Sequence, residues 1–413
     1  MEPVATDQHQ QTPRAAPLWV GLTITWLGSL GTGAATNGVY FVADQMHGFS
    51  RAENLWLGVF FGMMFVPAAF LSGKATRLLE RRVGWSERGV LLAVLLGITA
   101  SCVFAGYARA AWSIWVFVAL FAPLTGMLWP LVEGFISGGR RGKALRGATG
   151  KFNLAWASAT FGAYWFMRPL LEIDPAWVFY GLGAVHLLSA GFTIWLPRFP
   201  GRHGSAAHAH DPLEAASYRR LLACFRMLLM GSYILHSAMT PILPARFTAL
   251  GVGEADRVLY ASAWMGSRVL AFVVLERWHG WHGRRRTLLW SGGGMALGFA
   301  GVLLAPGVWW AVGALVVLGA GIGSAYAAAL YYAMEVGDAQ VDAGGAHEAM
   351  IGLGYTGGPL AALVAVGAAD IGLIPSDHVD AWVLGVVGGV GLLVAFLILR
   401  RARRPLRAGV AAE

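Results

Sequence analysis

Long apolar stretches alternate with short, basic, polar breaks along almost the whole chain. A helix needs roughly 20 apolar residues to cross the hydrocarbon core of a membrane. Twelve stretches meet that need, at about 18–44, 54–72, 88–106, 111–136, 149–168, 176–195, 221–247, 257–275, 287–305, 308–335, 347–369 and 380–399. Several contain Gly and Pro, which membrane helices tolerate better than soluble ones. No alternating pattern suggests a barrel. The pattern therefore predicts an all-α integral membrane protein. Its longest polar interruption, 198–220, falls between the sixth and seventh stretches. That division gives a cytoplasmic tail over 1–17, a six-helix bundle over 18–197, a cytoplasmic linker over 198–220, a second six-helix bundle over 221–399 and a basic cytoplasmic tail over 400–413.

Composition agrees with the pattern. Only 13% of the 413 residues are charged, against about 25% in soluble domains. Gly (56) and Trp (18) are abundant, as in membrane proteins. The two cysteines, Cys102 and Cys224, lie in apolar surroundings and read as small buried hydrophobes rather than a disulfide or metal framework. Residues 1–17 lack the basic and cleavable features of a signal peptide, so the first membrane helix is expected to drive insertion.

A net charge of +9 invites a nucleic-acid reading, but the location of the charge argues against one. With the N-terminus inside, 24 of the 31 Lys and Arg residues fall in inner segments and 5 in outer ones. The positive-inside rule then places both termini in the cytoplasm of a multi-pass protein of the cell (inner or plasma) membrane.

The two halves echo each other. The fourth stretch ends Leu128-Trp129-Pro130-Leu131-Val132-Glu133-Gly134, and the tenth ends Leu330-Tyr331-Tyr332-Ala333-Met334-Glu335-Val336. Each sets an aromatic residue four positions before a glutamate, on one helical face. The second and eighth stretches are each followed by a basic, Gly-containing segment. Such internal symmetry marks many transporters.

In this organisation the chain resembles the major facilitator superfamily. The family's motif between helices two and three runs Gly-x-x-x-Asp-Arg-x-Gly-Arg-Arg. Here Gly73, Arg81 and Arg82 match, while Arg77 stands for the aspartate, Leu78 for the first arginine and Glu80 for the second glycine. Gly283-Arg284-Arg285 keeps only the motif's end in the second half. Gly354-x-x-x-Gly358-Pro359 is similar to an antiporter element of the family, but sits in the opposite half and implies no antiport here. The resemblance implies two pseudo-symmetric six-helix bundles around a central cavity, lined mainly by helices one, two, four, five, seven, eight, ten and eleven. It also implies alternating access in a chain functional as a monomer.

The main candidate for chemistry is Arg268, near the middle of the apolar stretch from Leu259 to Val274. A guanidinium exposed to lipid costs at least about 2.5–3.5 kcal/mol, so it must face protein or a watery cavity. It could anchor an anionic group of a substrate or pair with a proton-carrying carboxylate; a structural ion pair is the plainer alternative. His236, beside Tyr233 and Ser237, could relay protons or contact substrate. Pro241 and Pro244 follow it and would loosen the end of its helix. Glu133, Glu335 and Glu348 lie near inner helix ends, with His347 beside Glu348 and with Lys151, Asn153 and Trp156 opposite. They could form a proton site or inner gate, or be hydrated helix-end charge. Tyr326, Tyr331, Tyr332, Tyr355, Trp129, Trp156 and Trp264 could stack on a substrate or simply pack. Thr25, Thr32, Asn37 and Tyr40 are weaker candidates of the same kind.

His203, His208, His210 and Asp211 in the linker, and His279 and His282 around Trp281, read as loop residues rather than metal ligands. No phosphate-binding loop, nucleophile elbow or His-Glu-x-x-His pattern occurs. The expectation is therefore a transporter without cofactor or catalytic residues. It would move a small organic solute, anionic by the argument from Arg268, with protons as the coupling ion. A multidrug exporter of the same fold is one alternative. A non-transporting receptor or a lipid-modifying membrane enzyme is another, from a different class.

Overall fold

The computed structural model describes residues 15–140, 142–201, 212–335 and 341–403. Among these there are fourteen α-helices and no strand. In chain order they are α1 (Leu18–His47), α2 (Arg51–Val83), α3 (Glu87–Ala108), α4 (Ala111–Ser137), α5 (Gly142–Ile173), α6 (Ala176–Phe192) and α7 (Pro212–Met239). Then come α8 (Leu243–Ala249), α9 (Glu254–Ala261), α10 (Ala263–Arg277), α11 (Arg286–Leu303), α12 (Val308–Glu335), α13 (Val341–Asp370) and α14 (Val379–Arg403).

A 3-10 turn at Thr240–Ile242 joins α7 to α8. Pro241 and Pro244 cannot donate to the helical ladder and so fix the break there. α9 and α10 meet at Ser262. Taken as two bent rods, these pairs leave twelve long segments. Nine of the described segments are long and apolar enough to cross a membrane. The other three, α1, α5 and α11, carry runs of Gly, Ser, Thr and Asn that lower their hydropathy.

Several helices run beyond their apolar stretches, because hydropathy marks only the part that lipid covers. α2 begins at a capping box of Ser50 and Glu53 and continues until Gly84, whose φ of 72° ends it. Gly73, Arg77, Arg81 and Arg82 consequently stand on a helix rather than in a loop. The three arginines are exposed, and those of the last turn favour the helix C-terminus electrostatically. α5, α7 and α13 likewise start several residues before the expected spans.

Large apolar side chains cover the outside: Trp290, Trp309 and Leu392 are 78%, 76% and 73% exposed. Large side chains such as Phe65, Phe121, Phe179 and Phe299 also fill the interior, and small residues mark the points where helices approach most closely. The first half of the molecule is α1–α6 and the second is α7–α14. Across the halves, α2 packs along α13, α5 along α9 and α10, and α4 touches α13. Close approach, both across the halves and between α7 and α13 of the second half, requires missing side chains at particular points. A Cβ at Gly62 would lie 2.5 Å from the backbone nitrogen of Thr356, and one at Gly358 would lie 2.7 Å from that of Ala238. Gly354 and Gly358 therefore form a close seam of α13 on α7, while Pro359 faces Gly58 of α2.

Some of the sequence positions singled out for charge or chemistry lie outside the described residues. They are residues 1–14, Arg141, the linker histidines His203, His208 and His210 with Asp211, and the tail from residue 404. The side chains of Lys143, Arg146, His279 and Glu335 are likewise outside them.

Candidate functional site

The two halves enclose a cavity of about 90 Å³. From the first half it is lined by Ser29, Thr32, Gly33, Thr36 and Asn37 of α1, Phe65 of α2, Thr125, Trp129 and Glu133 of α4, and Phe152, Trp156 and Thr160 of α5. From the second half come Tyr233 and His236 of α7, Trp264, Met265 and Arg268 of α10, Tyr326 of α12, and Glu348, Ile351 and Tyr355 of α13.

Arg268 dominates the cavity. It is 2% exposed, and its guanidinium carbon lies 4.5 Å from the ring centre of Trp156 and 4.9 Å from that of Tyr326. Tyr233, Phe272 and Trp264 stand at 5.8, 5.8 and 5.9 Å. Each ring presents negative π density to the cation, worth roughly 0.5–2 kcal/mol per contact. Nη2 donates to the Tyr233 hydroxyl at 3.3 Å, and Nε has no hydrogen-bond partner among the described residues. No carboxylate among them pairs with it. The charge is thus held by aromatic faces, with hydrogen-bonding capacity left over.

His236 bridges the halves. Its Nε2 lies 3.1 Å from Asn37 Oδ1 on α1 and 3.1 Å from Thr240 Oγ1. Its ring centre is 4.2 Å from that of Trp264. Trp264 in turn donates its Nε1–H to the Tyr164 hydroxyl of α5 at 3.0 Å, a second polar tie between the halves. Glu133 and Glu348 both face the cavity, Glu348 at 7% exposure, and no hydrogen bond or ion pair joins either carboxylate to a described residue.

Charged pairs close the end of the bundle opposite the start of α1 and the end of α14, here the far face. Asp44 of α1 pairs with Arg257 of α9 at 3.0 Å. Arg51 of α2 pairs with Asp380 of α14 at 2.7 Å, and Asp380 also pairs with Arg246 of α8 at 3.2 Å. Arg168 of α5 pairs with Asp256 of α9 at 3.0 Å. The pairs of Asp44, Arg51 and Arg168 thus tie one half to the other across this face.

The fold is similar to that of a mutant form of the nucleoside transporter NupG, with a TM-score of 0.66 at 14% identity over 92% of this chain and 99% of that one. It is also similar to the human organic anion transporter MFSD10, with a TM-score of 0.59 at 15% identity over 92% of this chain and 99% of that one. The chain has the major facilitator superfamily fold. No protein-family model and no curated protein sequence matches it.

Within this major facilitator fold, Arg268, His236, Glu133, Glu348, Trp156 and Tyr355 come together around one cavity, with Trp129, Trp264, Tyr326, Thr32 and Asn37. Asn153 stands behind it and accepts from Trp156 Nε1 at 3.1 Å, which fixes the ring under Arg268. His347 packs against Tyr326 at 5.8 Å, and its Nε2 has no partner among the described residues. Tyr331 and Tyr332 stand apart, under the segment between α10 and α11. Tyr331 stacks on His282 at 4.0 Å, and the Tyr332 hydroxyl accepts from the backbone N–H of Gly283 at 2.8 Å. Both thereby anchor a turn in which Arg284 and Arg285 remain exposed. Thr25 returns its hydroxyl to the Gly21 carbonyl, and Tyr40 is buried against α2.

Sequence reasoning missed the far-face pairs. Asp44, Arg257, Asp256 and Asp380 sit at span ends, where charge is ordinary. Thr240 was also missed, although its spacing of four residues after His236 sets the two on one helical face.

Proposed function

We propose that this protein is a secondary active transporter that moves a small organic solute across the membrane by alternating access. The observation that carries the reading is the position of Arg268. It is a permanent charge, buried between the halves, cradled by aromatic faces and without a carboxylate partner among the described residues. Buried charge of this kind in a membrane protein serves substrate or ions by default. The neighbours point the same way, since NupG and MFSD10 are described as transporters of nucleosides and organic anions.

Each residue has a part in this reading. Arg268 offers N–H groups to an acceptor oxygen of the solute, the aromatic walls sandwich its planar body, and His236 lines the cavity from α7. Glu133 and Glu348 carry the coupling proton, because carboxylates facing one cavity can take up a proton from one side and lose it to the other. The far face is the outer one, so the pairs of Asp44, Asp380 and Asp256 close the outer mouth and must part when the halves rock.

Sealed proteoliposomes, exposed to a mixture of small metabolites under an inward proton gradient, test this. Mass spectrometry should find at least one solute concentrated by the wild type and not by Arg268→Ala or by empty vesicles. Equal contents in all three would refute the reading.

A further inference from the structure

On the lipid side of the first half, α1, α5 and α6 leave a groove of about 410 Å³. Leu22, Trp26 and Leu27 of α1, Ala155 of α5, and Leu188 and Phe192 of α6 line it, and Thr23 adds a single hydroxyl. It shares no lining residue with the central cavity. Its volume lies within the roughly 300–1,000 Å³ of ordinary ligand sites. Trp26 and Leu188 are exposed, so the groove opens to the membrane rather than into the bundle. Its α1 residues lie about 6–14 Å along the helix from Leu18. That range matches one leaflet, half of a hydrocarbon core about 30 Å thick.

The mouth of the groove lies on the side where α1 begins and α6 ends. Trp19 and Trp195 are exposed there, with ring centres 5.9 Å apart, and both pack on Phe192. Such rings settle at the headgroup level of a bilayer. α5 runs parallel to α1, as the approaches of Thr160 to Gly33 and of Gln45 to Leu171 show. Lys151 precedes Ala155 by four residues, so the two share one face of α5 and Lys151 stands one turn nearer the mouth. It is exposed, lies outside the central cavity and has no ion pair among the described residues. Glu276 of α10 approaches α5 at Gly150, on another flank of the helix.

We infer that this groove binds one anionic phospholipid of that leaflet, with an acyl chain in the slot and the phosphate at Lys151. An acyl chain suits a slot that is apolar, open to lipid and one leaflet deep. The long stem of a lysine carries its ammonium up to the headgroup level, where a negative headgroup is its counterion. A zwitterionic lipid would offer the same chains but gain less from Lys151, because its own cation offsets its phosphate. A free phosphate would gain from Lys151 and nothing from the groove. The site stands on the packing of α1 with α5 and α6, and holds whatever solute the central cavity carries.

Native mass spectrometry tests this on the full chain, delipidated in detergent and titrated with dioleoyl phosphatidylglycerol or dioleoyl phosphatidylcholine. The first phosphatidylglycerol should bind about fivefold more tightly than the first phosphatidylcholine, the worth of one lysine at an anionic headgroup. Lys151→Gln should remove that preference. Lys74→Gln, which removes an exposed lysine of α2 outside the groove, should keep it. Leu188→Trp, which fills the groove from an exposed position, should weaken the first binding of both lipids by roughly tenfold, the worth of about two buried methylene groups. Glycerol 3-phosphate, which has the phosphate and no chains, should displace neither lipid. Equal affinity of the wild type for the two lipids, or a preference that survives Lys151→Gln or falls equally in Lys74→Gln, would overturn the inference. So would unchanged affinities in Leu188→Trp, or displacement by glycerol 3-phosphate.

Discussion

Asp44 at the end of α1 and Arg257 on α9 meet at 3.0 Å across the two halves, with side chains 26% and 11% exposed. Arg257 also donates to the Val252 carbonyl, so its guanidinium is held rather than free to swing. Solvent-exposed pairs contribute roughly 0.2–1 kcal/mol each; this more buried one contributes at least that, enough to bias an opening equilibrium. Asp44→Asn should therefore increase far-face opening by about twofold to fivefold. The check is the labelling rate of Met265→Cys, a cavity position, by an impermeant thiol reagent, with Cys102 and Cys224 replaced by Ala. An unchanged rate from the far side would show that the pair does not hold the mouth shut.

Arg268 should not be replaceable by lysine. Its planar guanidinium lies against Trp156 and Tyr326 while one nitrogen reaches Tyr233. An ammonium keeps the charge but loses the stacking and the fork of donors. Arg268→Lys and Arg268→Ala should both lower uptake by roughly 10–100-fold, the worth of a charge-assisted hydrogen bond. Size-exclusion profiles should stay those of the wild type. Near-normal uptake by the lysine variant would make the guanidinium geometry irrelevant.

Glu133 and Glu348 face the cavity without a described partner. If they carry the coupling proton, Glu348→Gln and Glu133→Gln should separate two activities. Accumulation driven by a proton gradient should disappear in at least one of them, while solute exchange between equilibrated compartments continues. Gradient-driven accumulation intact in both variants, and in the double variant, would remove these carboxylates from coupling.

The seam between α13 and α7 gives a stability prediction. A methyl at Gly358 would press on the backbone of Ile234 and Ala238, whereas one at Gly367 meets nothing within 4 Å. Overpacking of this kind costs roughly 1–3 kcal/mol. Gly358→Ala should lower the melting temperature in detergent and Gly367→Ala should leave it unchanged, as read by intrinsic fluorescence on heating.

The twelve apolar stretches, and with them the fold class, were legible because lipid imposes a length and a hydropathy that sequence displays directly. Helix ends were not, as α2 shows: its polar continuation from Gly73 to Val83 has no breaker until Gly84, so the helix persists where hydropathy stops. Arg268 was legible because an arginine amid apolar residues conflicts with its surroundings. Its surroundings in space were not. Trp156, Tyr326 and Tyr233 come from three other helices, and only packing brings them together. Tyr331 and Tyr332 show the converse. Their place in a repeated pattern suggested a cavity role, yet helical rotation turns them to Trp281 and His282, away from the cavity. The Gly354-x-x-x-Gly358 spacing, familiar as a motif, has a packing explanation in the approach of Tyr233 and Ile234.

Alternating access requires that solute cross only when the two halves part at the far face. Arg51→Cys with Asp380→Cys, in the chain lacking Cys102 and Cys224, places one thiol on each half where the native side chains meet at 2.7 Å. A short, reducible cross-linker can then join them in proteoliposomes, and metabolite uptake can be measured before and after reduction. Uptake should be absent while the link is in place and return when it is cleaved. Uptake at full rate through the cross-linked protein would rule out alternating access through this cavity.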